Sequence, residues 1–242
     1  MSRRVALVTG GARRLGAALV RSFAEREYDV LLHHGSSPDE AAALARSLEQ
    51  QHGVRVHAVQ EDLLDPAAPG RLVERVVEVL GRLDVVISSA SVMEWRDFDR
   101  VTPQDWTRAE AINLRAPFFL MQAAARVMTT GGAIVQIADH LAAETGFPRL
   151  IPHQVTKSAL TQLVRAVADH LAPAIRVNAI APGLVLAPND LTDEARQRFL
   201  RDVPLARSGV PADVLQAVHF LVDAPYITGV VLPVDGGRQL RR

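Results

Sequence analysis

The sequence predicts a doubly wound α/β domain: one mostly parallel sheet of about seven strands, with helices on both faces. Three observations point there. Short, almost wholly apolar runs recur along the chain, as strands covered on both faces require. Longer amphipathic stretches separate them, and strand–helix alternation with right-handed crossovers gives a parallel sheet. No repeat, low-complexity tract or linker interrupts the 242 residues, so 1–242 reads as a single domain.

The first apolar run is Val5–Thr9, followed by a glycine-rich turn and a helix over 15–27. A second strand over 29–33 leads to Ser37 and Pro38, a cap residue and a proline at a helix start, opening a helix over 38–51. The third strand is expected over 54–59, with a helix over 66–80 that again opens on proline, and the fourth strand over 83–88. One long helix is expected over 103–128, then a strand over Gly132–Ile137, a helix over 154–171 and a strand over 175–180. Residues 182–193 are rich in Pro, Asn and Asp and lie beyond that strand's C-terminal end, where such sheets bind ligands and carry lids, so they read as a flap. Short helices over 192–200 and 212–222 and a last strand over 230–234 complete the fold.

Composition narrows the function. Hydrophobic residues make up 48% and charged residues 22%, enough apolar surface for a packed core. Net charge is zero, so nothing points to nucleic acid. There is no cysteine, which rules out disulfides, thiolate metal sites and cysteine nucleophiles, and fits a reducing cytoplasm. The apolar run behind Met1-Ser2-Arg3-Arg4 is too short for a signal peptide, and no segment has the apolar length of a membrane span. The expectation is a cytoplasmic protein with a small-molecule substrate, no membrane and no metal.

Gly10, Gly11 and Gly16 sit where the first strand hands over to the first helix, within Thr9-Gly10-Gly11-Ala12-Arg13-Arg14-Leu15-Gly16. Glycine allows the tight turn and lets a pyrophosphate approach the backbone and the helix N-terminus, so the loop predicts a dinucleotide on a Rossmann fold. The second strand ends Leu32-His33-His34-Gly35-Ser36-Ser37, with no acid until Asp39. A missing carboxylate removes repulsion against a 2′-phosphate. Ser37 and Arg14 supply donors to one, and His33 or His34 can add more. The expected cofactor is NADP(H).

These motifs resemble the short-chain dehydrogenase/reductase family along nearly the whole chain. By that resemblance Gly10, Arg13, Arg14, Leu15 and Gly16 form the nucleotide loop. Asp62 and Leu63 contact the adenine, and Ser88-Ser89-Ala90-Ser91 takes the place of an Asn-Asn-Ala-Gly turn. Asn113 matches a structural and proton-relay asparagine, and Pro182, Gly183 and Leu184, which come after Asn178 at the end of the sixth strand, bind the cofactor. Tyr226-Ile227-Thr228-Gly229 and Val234-Asp235-Gly236-Gly237 match the C-terminal signature. The resemblance further implies a homo-oligomer, a tetramer or dimer built from the two long helices and the last strand. The arginines of the loop, the histidines after strand two, Ser89-Ala90-Ser91 and Asp139 are similar to pteridine and dihydromonapterin reductases. The asparagine of their turn is missing, and no aromatic shelf for a pterin is evident.

The family carries a Tyr-x-x-x-Lys pair, in which lysine lowers the tyrosine pKa and holds the nicotinamide ribose. The matching segment here is His153-Gln154-Val155-Thr156-Lys157, and the two tyrosines, Tyr28 and Tyr226, lie elsewhere in the sequence. An imidazole, with its ordinary pKa of about 6.5, is a competent proton donor near neutrality. Asp139 favours that form if it lies within reach, or acts as the acid itself. The two are 14 positions apart, one more than the family's usual spacing. Strand alternation is expected to point His140 away from Asp139. Thr156 and Ser158 read as packing or surface residues. Two functions stay open: an NADPH-dependent reductase of a small carbonyl or C=N compound, such as a pteridine, using Asp139, His153, Lys157 and Asn113, or a catalytically silent NADP(H)-binding sensor or partner subunit.

Overall fold

The structure is a computed structural model in which residues 3–143, 147–186 and 192–241 are described. Seven strands form one parallel sheet: β1 (Val5–Thr9), β2 (Asp29–His34), β3 (Val56–Gln60), β4 (Val85–Ser88), β5 (Gly132–Ile137), β6 (Ile175–Pro182) and β7 (Val231–Val234). Their order is β3-β2-β1-β4-β5-β6-β7. Alternate residues of each strand feed opposite cores, which is why the strands are uniformly apolar. Ala6 and Val8 pack with Leu19, Phe23 and Leu48 beneath α1 (Arg14–Glu25), α2 (Pro38–His52) and α8 (Pro211–Asp223). Val5 and Leu7 pack with Leu72, Met121 and Val164 beneath α3 (Ala68–Leu80), α5 (Ala116–Val127) and α6 (Ile151–Leu171). The remaining α-helices among the described residues are α4 (Pro103–Glu110) and α7 (Asp193–Arg201). No described helix is long and apolar enough to cross a membrane.

The doubly wound sheet expected from the sequence is present. Strand order reverses between β1 and β4, so the connections leaving their C-terminal ends diverge and open a crevice there. Two boundaries differ from expectation in ways that matter for the site. The single helix over 103–128 is two helices joined by a π turn, Ala111–Arg115. Pro117 has no N–H to give Asn113 O, and its ring crowds that carbonyl, so the helix widens one turn earlier. The helix expected from residue 154 begins at Ile151, with Pro152 in its first turn, which puts His153 inside the helix one turn before Lys157. Of the expected flap over 182–193, residues 187–191 lie outside the described residues.

Candidate active site

The C-terminal ends of the strands open into one cleft of about 1910 Å³, and every residue expected at the site lines it except Asn113. One end is made by the β1–α1 turn. Gly10 adopts φ +65°, and a side chain there would press within 2.9 Å of Ala90 Cα. A Cβ on Gly16 would overlap the Gly10 carbonyl oxygen. The turn is therefore a cradle that only bare backbone can form, and it sits at the N-terminus of α1, where peptide dipoles favour an anion. Arg13 and Arg14 flank it. Arg13 lies 4.0 Å from Glu40, and Arg14 donates to Leu186 O at 2.6 Å. These donors, the bare backbone and the cleft's size fit a dinucleotide.

The neighbouring turns are held by their own polar atoms. Thr9 Oγ1 accepts from Ser89 N at 3.1 Å and Ala90 N at 3.2 Å, fixing the Ser89-Ala90-Ser91 turn beside the glycines. Asp62 Oδ1 accepts from Leu64 N at 3.0 Å, with Leu63 buried beside it. His33 is a correction. Its Nδ1 accepts from Gly10 N at 3.2 Å and its Nε2–H donates to Glu61 O at 3.1 Å, so no ring nitrogen is left for a phosphate. Burial lowers its pKa, the Glu61 carbonyl opposing in part, so His33 is a neutral strut beneath the loop. Burial likewise lowers the pKa of His34, whose Nδ1 accepts from Ser37 N at 3.4 Å. Ser37, Arg14 and His34, whose Nε2 that contact leaves unengaged, all line this end of the cleft.

Deeper in the cleft, the end of β5 meets the first turns of α6. His153 Nε2 lies 3.1 Å from Asp139 Oδ2, and its Nδ1 lies 2.9 Å from Val92 O. Both partners are acceptors, so only the doubly protonated ring donates to both. The extra residue between 139 and 153 does not keep the pair apart. His140 is a second correction. The strand ends at Ile137, and after Ala138 and Asp139 a 3₁₀ turn, His140–Ala143, begins, so strand alternation no longer applies. Its Nδ1 lies 3.0 Å from Asp139 Oδ1 and 3.0 Å from Pro182 O. Asp139 is thus bracketed by imidazoles, one on each oxygen. Burial would raise its pKa, but the hydrogen bonds from His140 and His153 outweigh that and hold the carboxyl below the usual carboxylate range.

Lys157 is buried and donates to Ile137 O at 2.7 Å. Burial pushes its pKa down to about 8, against the raising effect of Asp139. Asn113 is wholly buried behind the cleft, and its side chain is fully used. Oδ1 accepts from Ser91 Oγ and Val92 N, while Nδ2 donates to Val92 O and Thr156 Oγ1. That side chain has no capacity left for a relayed water, and its role here is to brace the turn carrying Val92 against α6. Thr156, read as packing, is part of the same brace. Leu184 accepts from Gly209 N at 2.9 Å and Gly183 N donates to Val234 O at 3.0 Å, so the segment after β6 is pinned beside the cleft. Phe147, Phe199 and Arg238 also line the cleft. They come from three separate segments with no shared motif, which is why the sequence does not single them out.

Residues 10–239 match the family model described as Enoyl-(Acyl carrier protein) reductase. Versicolorin reductase 1 of Aspergillus parasiticus is 32% identical over 251 residues, covering 97% of this chain and 95% of that relative. The 3-oxoacyl-(acyl-carrier-protein) reductase FabG of Aquifex aeolicus is 31% identical over 241 residues, covering 97% and 96%. A blue fluorescent protein from a metagenomic library, solved in complex with NADPH, superposes with a TM-score of 0.92 at 35% identity, over 98% of each chain.

Proposed function

The chain belongs to the short-chain dehydrogenase/reductase family and is an oxidoreductase, and on that premise we propose that it reduces a small carbonyl or C=N compound with NADPH, with His153 taking the place of the family's tyrosine. The observation that carries this reading is the Asp139–His153 contact of 3.1 Å in the same cleft as the glycine cradle. The acid-free end of β2, with Ser37 and Arg14 beside the loop, supports the phosphorylated cofactor. Bound NADPH supplies a hydride.

The chain's own residues supply the proton and the order. The His153 Nε2–H, hydrogen-bonded to the Asp139 Oδ2 carboxylate in the free protein, is the proton given to the substrate oxygen or nitrogen in the reaction. Loss of that proton leaves a lone pair facing a carboxylate, so the ring takes up another from the cleft before the next turnover. His140, on the other carboxylate oxygen, keeps Asp139 ionised and aimed. Lys157 is anchored by one N–H on Ile137 O, and its other two are available to the cofactor ribose.

A pteridine is the specific substrate to test first, since Phe147 and Phe199 supply flat faces in the cleft. We further propose a cytoplasmic homo-oligomer, a tetramer or dimer, supported by the exposed Trp106, Phe118, Phe119 and Val155 on α4, α5 and α6. The test of the activity is NADPH consumption with a panel of ketones and pteridines across pH 5–9. Turnover is expected. Tight NADPH binding without turnover of any substrate would instead mark a silent sensor or partner subunit.

A further inference from the structure

Beyond Asp139 the cleft carries more positive charge than the chain as a whole, in which 27 basic and 27 acidic residues balance. Its far wall holds Arg198, Arg238 and Arg241 against one acid, Asp202, among the described residues lining that wall. The C-terminal 3₁₀ turn Arg238–Leu240 meets α7 through Arg238, which contacts Phe199 and lies 3.7 Å from Asp202. Arg238 donates to Phe199 O at 3.2 Å, and Arg241 N donates to Arg238 O at 2.9 Å. The Arg238 guanidinium lies 4.1 Å over the Phe199 ring and 5.8 Å from that of Phe147, with only 10% of its side chain exposed. A guanidinium held against aromatic faces keeps its charge while losing much of its water, and its ion pair with Asp202 fixes Arg238 in the wall. Arg198 and Arg241 are exposed and make no ion pair among the described residues. The nucleotide end has its own cations, Arg13 and Arg14, so these three are not needed there.

The wall is close to the proton-handling group. The Phe199 ring meets His140 edge-on at 5.7 Å, and His140 contacts Asp139. We propose that Arg198, Arg238 and Arg241 form an oxyanion-binding subsite for the substrate. The substrate is then a carbonyl or C=N compound bearing a carboxylate or phosphate, joined to the reacting carbon by a flat or acyl spacer that rests on Phe199 and Phe147. Arg238 shapes the wall, and Arg198 and Arg241 reach the anion. The substrate class rests on the reductase reading, whereas the subsite itself is measurable without it.

The probes are 4-acetylbenzoate, with ketone and carboxylate one ring apart, and its neutral counterpart 4-acetylbenzamide. Dissociation constants are measured without nicotinamide, and kcat/KM with NADPH. The acid is expected to bind about 10-fold more tightly than the amide, as charge-assisted contacts allow. Arg198→Gln and Arg241→Gln should each remove most of that preference while leaving amide affinity unchanged. Equal affinity for acid and amide in the parent protein, or no binding of either, overturns the subsite. Preferred binding of the acid without turnover upholds the subsite and defeats the reductase reading. Turnover of both probes at equal kcat/KM with equal affinity does the reverse.

Discussion

The two ends of the cleft are built by different means. At the nucleotide end the working parts are backbone: a turn with no side chains at Gly10 and Gly16, opening directly into α1, all within one short stretch. At the end where the proposed proton donor sits, the working parts are side chains from distant elements, Asp139 and His140 after β5 and His153 and Lys157 on α6, with backbone carbonyls such as Val92 O holding them in place. A backbone device tolerates no substitution but asks little of the rest of the chain. A side-chain device can change its chemical members provided the new groups satisfy one another, and the proposed role of His153 is such a change.

The contrast can be broken at either end. The largest effect is expected for Gly16→Ala. Its Cβ meets backbone that cannot move aside, so NADPH affinity should fall at least about 100-fold by calorimetry, with a lowered melting temperature. Unchanged NADPH affinity in that variant would mean that the turn is not the nucleotide cradle. A second prediction concerns the scaffold the two ends share. His219 on α8 packs edge-on against Phe23 at 4.8 Å and donates to Ser22 Oγ at 3.1 Å. Burial, with Arg26 adding to it, lowers its pKa to about 4. A depressed pKa means the stabilisation is complete above the ordinary value of about 6.5 and is lost as pH falls from there through about 4. Urea titrations at pH 7 and pH 4.5 should differ by on the order of 1–2 kcal/mol through this group, after allowance for its partial exposure. His219→Gln should lose that part of the difference. If the variant keeps all of it, the acid sensitivity lies elsewhere, with buried His33 the next group to test.

The smallest effect belongs to cofactor choice. Arg14→Gln and Ser37→Ala should each reduce the preference for NADPH over NADH by about 3- to 10-fold in KM, the size of one hydrogen bond to a charged group in a solvated site. A preference untouched by both would place the 2′-phosphate donors elsewhere.

The sequence discloses the two ends unequally, for the same physical reason. Strand burial, helix periodicity and the glycine turn are local, so the sheet, most of its helices and the cradle are legible from spacing alone. The π turn runs against the single helix expected over 103–128, although Pro117 marks the place, since a proline interior to a helix costs the carbonyl four residues back its donor. His140 was not legible: β5 ends at Ile137 as expected, but the direction of His140 depends on the 3₁₀ turn that begins with it. Nor was the loss of His33 as a phosphate donor, which follows from Gly10 N and Glu61 O arriving on either side of its ring. Phe147, Phe199 and Arg238 meet only after the chain has folded.

The central claim is that His153, set on Asp139, supplies the proton. It is tested most directly by kcat/KM for NADPH-dependent reduction in the parent protein, His153→Phe and His153→Tyr, with NADPH affinity measured alongside. The account predicts that the Phe variant binds NADPH as the parent does but loses about 10²- to 10³-fold in kcat/KM, and that the Tyr variant does not exceed the parent. A Phe variant as active as the parent, or a Tyr variant that turns over where the parent does not, would contradict it.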